Sequence, residues 1–225
     1  MTNHKTIGRW FGGLLLTAMV LGLWNNFGFT APVFSAEGYL KTGAGMAPLF
    51  GVSVLLALCT SGLTLAATVI AWPLFRRVSP GLALAALMLT GVALATTVAE
   101  WASFMSLLSL SQQYAQHPGA DPLQFDLLRG VVSAARNWIH YLDKIVSGAS
   151  MLLTYLLLFR GRLVPRVISA LGVPAALSQL VGVSMVLFQR DLPLLMLAPL
   201  ALVQLCLCLW LLARGFATPV AKAAG

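Results

Sequence analysis

GLALAALMLTGVALATTVAEWASFMSLLSL, residues 81–110, carries one charged side chain, Glu100, in thirty positions. A hydrocarbon core about 30 Å thick is crossed by about 20 mostly apolar residues rising 1.5 Å each, so this run reads as a membrane-spanning helix. Five further runs read the same way: 10–30, 46–75, 131–159, 164–188 and 192–212. They are long and continuous, unlike the alternating segments of about ten residues that build a membrane barrel. Between them lie the breakers Ser79-Pro80-Gly81, His117-Pro118-Gly119 and residues 191–193. Pro174 falls inside the fifth run, where its missing amide predicts a kink. The expected fold is an all-α polytopic membrane bundle of six helices, one transmembrane domain over residues 1–225. The only sizeable segment outside the membrane is then a loop over 111–130, with 111–114 continuing the third helix and Pro118-Gly119 ending it.

Composition points the same way. The 225 residues are 59% hydrophobic and 9% charged, with mean hydropathy +0.89, against about 25% charged in soluble domains. A water-soluble fold of this length could not hide so much apolar surface. The partner implied is the lipid bilayer. The net charge of +8 is held in short clusters between apolar runs and not along one face, which sets membrane orientation and argues against a nucleic-acid partner.

Nine Lys and Arg residues fall on the side of the N-terminus: Lys5, Arg9, Arg76, Arg77, Arg160, Arg162, Arg166, Arg214 and Lys222. Four fall on the other, Lys41, Arg129, Arg136 and Arg190, and Lys144 sits in mid-helix. Positive charge stays cytoplasmic, so both termini are expected there. Glu37, Asp121, Asp126 and Asp191 all lie on the outer side. Tryptophan prefers the interface, placing Trp10, Trp72 and Trp210 at the inner level and Trp101 and Trp138 near the outer one. Lys5, Arg9 and the apolar run after them imitate a signal peptide. Before Ala31 and Ala36, however, the key upstream positions are Phe29 and Phe34, too large for a cleavage site. The segment is read as a retained first helix, cleavage being the alternative. The three cysteines, Cys59, Cys206 and Cys208, have no disulfide pattern and read as small buried hydrophobes.

The fourth run holds Arg136, His140, Asp143 and Lys144. At 100° per residue they share one stripe of the helix with Ser147, from near the outer interface to about mid-membrane. Glu100 of the third run lies about 28 Å above that helix's inner end, close to the level of Arg136. A charge near the bilayer centre costs about 2.5–3.5 kcal/mol on insertion scales, so such groups face the protein interior and have partners. Two readings follow. The stripe is a structural ion network, or Glu100, Arg136, His140, Asp143 and Lys144 line a pocket for an ion, a proton or a small polar ligand. His140 suits proton handling because imidazole titrates near neutrality. A metal would need more converging ligands than His140 and Asp143, and a retinal Schiff base on Lys144 lacks the seventh-helix position of rhodopsins. No cofactor and no catalytic group is named by the sequence, which carries no nucleophile elbow, zinc-protease helix or phosphate loop. Asn25, Gln179 and Gln204 read as interhelical glue, and Ser178 with Gly182 as a small face for close packing.

The run Arg162-Leu163-Val164-Pro165-Arg166, then Ile168-Ser169 and Leu171-Gly172, resembles a hallmark of the bacterial integral-membrane family called domain of unknown function 4386. The similarity extends through Pro199 to Leu209-Trp210-Leu211-Leu212 and Gly215-Phe216. Pro32, Tyr39-Leu40 and Ala135-Arg136-Asn137-Trp138 share it, so it covers nearly the whole chain. The resemblance implies a compact helical membrane protein of bacterial origin, placed in the inner membrane by its topology, with no assigned activity. The basic motif is read first as a topology and headgroup anchor. This chain departs from the family in having apolar and small residues at 90–93, where members carry Arg and Glu, and in placing His140, Asp143 and Lys144 in a usually more apolar region. Two function classes stay open: a small transporter or receptor for a polar or charged solute, and a non-catalytic membrane-protein partner or regulator.

Overall fold

Proline and the residue before it set where the longest helices begin. Pro80 and Pro122 sit in first turns, where a missing amide forfeits no hydrogen bond and a fixed φ suits the helix. Asp121 caps the second of these by accepting from the Leu123 amide at 2.9 Å. In the computed structural model, which describes residues 4–31, 33, 39–119 and 121–218, the spans are α1 (His4–Trp24), α2 (Ala47–Val78), α3 (Pro80–Gln116), α4 (Pro122–Gly161), α5 (Arg166–Leu187) and α6 (Ala198–Arg214). A π-helical turn, Asn25–Thr30, prolongs α1, and a short helix Tyr39–Thr42 with a 3₁₀ turn Gly43–Met46 leads into α2. The expectations resting on Pro32, Phe34, Ala36, Glu37 and Lys222 lie outside the described residues.

The described residues are 90% helical, have no strand, and contain six helices long and apolar enough to cross a membrane. The chain is a multi-pass membrane protein. Its outward faces are as apolar as its inward ones: Leu55, Val69, Met88, Leu171 and Leu202 are all exposed, the arrangement expected where lipid is the solvent. α5 runs unbroken through Pro174.

Three expectations need correction. The loop over 111–130 is largely helix, since α3 reaches Gln116 and α4 starts at Pro122. Asp121-Pro122 starts a helix as efficiently as Pro118-Gly119 ends one, and an Asp126–Arg129 pair at 3.1 Å and a Tyr114–Phe125 ring contact at 5.2 Å hold the result. At 1.5 Å per residue α3 and α4 are about 55 and 60 Å long, so they project from the bilayer as a helical hairpin. Trp101 is not presented to an interface. It is 8% exposed and packs edge-on to Phe104 at 4.9 Å, because its neighbours on α2 supply apolar surface at that level. Cys208 is buried, but Cys59 and Cys206 are exposed on outward faces, where lipid accepts a thiol as readily as a protein core does.

Each helix packs on its neighbours in sequence, and α6 returns to α1, closing a ring of six. Two dry clusters fill its ends. At the end bearing the chain termini, the rings of Phe11, Phe75 and Phe216 lie 5.5–6.1 Å apart. At the far end Phe50 stacks on Phe104 at 4.5 Å, mainly joining α2 and α3. The terminal cluster is tied down by the Ala217 amide, which donates to the Leu163 carbonyl at 2.8 Å. Gly215 has φ +69° and lies against the Lys5 backbone, where a Cβ would overlap it. Gly172 on α5 lies flat against the ring of Tyr155 on α4, leaving no room for a methyl group. Ser178 donates to the Met196 carbonyl at 3.0 Å, and Gly182 packs beside the same residue.

Candidate functional site

Between the two dry clusters the interior of the ring is not filled. A cavity of about 600 Å³ occupies the half of the bundle away from the chain termini, and all six helices contribute to its wall. Glu100 of α3 and Arg136, His140, Asp143 and Lys144 of α4 all line it. The stripe that helical periodicity places on one face of α4 therefore faces this chamber.

The ions are paired across and along the helices. Arg136 Nη2 donates to Glu100 Oε1 at 2.6 Å, and His140 Nδ1 lies 3.0 Å from the same oxygen. Lys144 Nζ donates to Asp143 Oδ2 at 2.9 Å, while Thr96 and Thr97 place hydroxyls 2.8 and 3.4 Å from Asp143 Oδ1. Arg136 and His140 thus turn to the neighbouring helix, while Lys144 and Asp143 pair within α4. Charge-assisted bonds of this kind are about twice as strong as neutral ones, so they hold α3 and α4 in register. The floor of the chamber is a hydroxyl cluster in which Thr90 and Ser150 share a bond at 2.7 Å and Ser150 donates to the Ala86 carbonyl at 3.1 Å.

The wall opposite is neutral. In a ring of six, α1 faces α4; its own lining residues are apolar or glycine, and the polar groups on that side are Asn25, Asn26 and Thr30 of the π-helical turn that prolongs it. Such turns are frequent at functional sites, where the extra residue per turn redirects side chains. The Asn25 amide nitrogen donates to the Ser53 carbonyl at 3.0 Å. Asn25 Oδ1 and Thr30 Oγ1 are buried with no partner among the described residues, each a cost of about 1–3 kcal/mol when left unmet. No group of three or more His, Cys, Asp or Glu side chains able to hold a metal occurs among the described residues.

The family model for Domain of unknown function (DUF4386) matches residues 10–215. The chain belongs to this family. No curated protein and no solved structure shows significant similarity to it.

In this DUF4386 chain the segment from Arg162 to Gly172 and the ending around Gly215-Phe216 build the seal at the terminal end, with Leu163 and Phe216 in its core. They stand apart from the chamber, and Arg162, at φ 48°, caps α4. Asn26 and Thr30 have no counterpart in the sequence reading, and Asn25, Gln179 and Gln204, read there as glue, also line the cavity. An amide at membrane depth was visible in the sequence. Which way it faced was not, since that depends on ring closure.

Proposed function

We propose that this chain is a bacterial inner-membrane protein, with both termini cytoplasmic, that binds or carries a small polar or charged solute in its outer-half chamber. One observation carries this reading: five ionisable side chains meet polar groups from every helix around one unfilled space. Intramembrane charges that serve packing alone are favoured where the surrounding helices close dry around them. The volume lies within the range of small-molecule sites, about 300–1,000 Å³.

The second reading, a non-catalytic partner whose ions are structural, is supported by the short pairing of Arg136 with Glu100 and of Lys144 with Asp143. A thermal-shift screen of small anions, cations and polyols on the detergent-purified chain separates the two. A stabilising solute whose shift vanishes in the Asp143→Asn, Lys144→Met double variant, and on filling the void with Ala93→Trp, is the expected result. Unchanged shifts in both variants sink the solute reading.

Orientation has its own test. On a background lacking the three native cysteines, Cys placed at Asp121 is expected to react with an impermeant maleimide added to intact cells, and Cys at Arg162 to remain unlabelled. Both positions are exposed, so the reverse pattern means an inverted topology.

A further inference from the structure

The chamber shows its two signs of charge unequally. The side chains of Glu100 and Asp143 are 4% and 5% exposed, covered by their partners, whereas those of Lys144 and His140 are 43% and 34% exposed. The formal charges of Glu100, Asp143, Arg136 and Lys144 cancel, yet what an entering molecule meets first is cationic. An ammonium has three hydrogens to donate. That of Lys144 gives one to Asp143 and has no other acceptor among the described residues.

The imidazole is directional for a related reason. A carboxylate only accepts, so the His140 Nδ1 that lies 3.0 Å from Glu100 Oε1 carries the hydrogen. In the neutral ring Nε2 then presents a lone pair, and only the protonated ring presents a donor there. Nε2 has no partner among the described residues and is not buried.

We propose, resting on the solute reading above, that the occupant is a small oxyanion, carboxylate or phosphate, held by the Lys144 ammonium and by His140 Nε2–H. The ring takes one proton from solvent as the anion enters. No covalent bond changes; the proton restores the neutrality that an added monoanion removes, which matters because an uncompensated charge is expensive at membrane depth. Of the groups around the ring, Glu100 of α3 favours the proton, while Arg136 and Lys144, one turn to either side on α4, oppose it. Asp143, three residues on along α4, also favours it, and Tyr141 meets the ring edge at 5.8 Å. The parts of α2 and α5 that line the chamber, Thr60, Ser61, Thr64 and Gln179, are neutral, as are Asn26 of α1 and Gln204 of α6.

The test titrates lactate and inorganic phosphate into the full chain in phosphatidylcholine nanodiscs, by calorimetry in two buffers of different ionisation enthalpy, at about pH 6 and about pH 8. For lactate, proton uptake approaching one per anion is expected at about pH 8 and less at about pH 6, with affinity weakening up to about tenfold per pH unit once the ring is neutral; phosphate, which exchanges a proton of its own near neutrality, reads affinity alone. His140→Gln is expected to leave weaker binding without proton uptake, Lys144→Gln to abolish binding, and Lys144→Arg to retain part of it. Anion binding without proton uptake overturns the proposal, as does full binding by a Lys144→Gln protein that melts like the parent. Stabilisation by neutral or cationic solutes but by no oxyanion sinks the anion and spares the chamber. No response to any solute sinks both. Repeating the melts in phosphatidylglycerol identifies the source: stabilisation that needs Lys144 and blocks soluble phosphate supports the same oxyanion site, filled by a lipid headgroup.

Discussion

Glu100→Ala is expected to destabilise the protein by about 3–5 kcal/mol, the cost of removing one partner from a buried charge pair. Glu100 is 3% exposed and its Oε1 is the common acceptor for Arg136 and His140. Without it the guanidinium, itself 13% exposed, keeps its charge and loses its shortest partner. A native state is worth only about 5–15 kcal/mol in total, so the loss is visible as a large fall in melting temperature in detergent. Glu100→Gln retains an acceptor of the same shape and is expected to lose only about 1–2 kcal/mol. The paired change Glu100→Leu with Arg136→Leu removes both charges and is expected to recover most of the loss, since a buried pair replaced by apolar groups is often neutral. A double-mutant cycle reads the coupling directly. Glu100→Ala within about 1 kcal/mol of the parent would mean that the pair does not hold α3 to α4.

Gly172→Ala is the second large effect, expected at about 1–3 kcal/mol from overpacking. A methyl group there would fall inside the ring of Tyr155, which is wholly buried and enclosed by the terminal cluster. A close-packed interior leaves the ring nowhere to retreat. The companion change Tyr155→Leu on the alanine background is expected to restore part of the loss by making space. Tyr155→Phe alone runs the other way: the hydroxyl is buried with no partner among the described residues, and its removal is expected to gain about 1 kcal/mol. Melts of the purified variants read these effects, and a Gly172→Ala protein as stable as the parent would refute the close approach of α4 and α5.

The two effects probe different ends of one molecule, and they part the terminal seal from the chamber. Gly172 packs on Tyr155 in the terminal seal. Glu100 belongs to the ion network. Loss of the first is expected to reduce folded protein without altering what the remaining folded fraction binds. Loss of the second changes the chamber wall itself.

The sequence by itself determined the six spans, because a helix that must cross about 30 Å of hydrocarbon announces itself by length and hydropathy, without reference to its neighbours. It also determined the charged stripe on α4, since positions 136, 140, 143 and 144 follow from helical periodicity alone. Periodicity could not say that Trp101 turns inward, that residues 122–130 continue as helix, or that Asn25 and Thr30 stand across from Lys144. Nor could it divide the ions into covered acids and open bases. Those depend on which helix lies beside which. In lipid the other helices have faces apolar enough to point either way, so the closing of the ring, α6 against α1, chooses the sides they turn to the chamber.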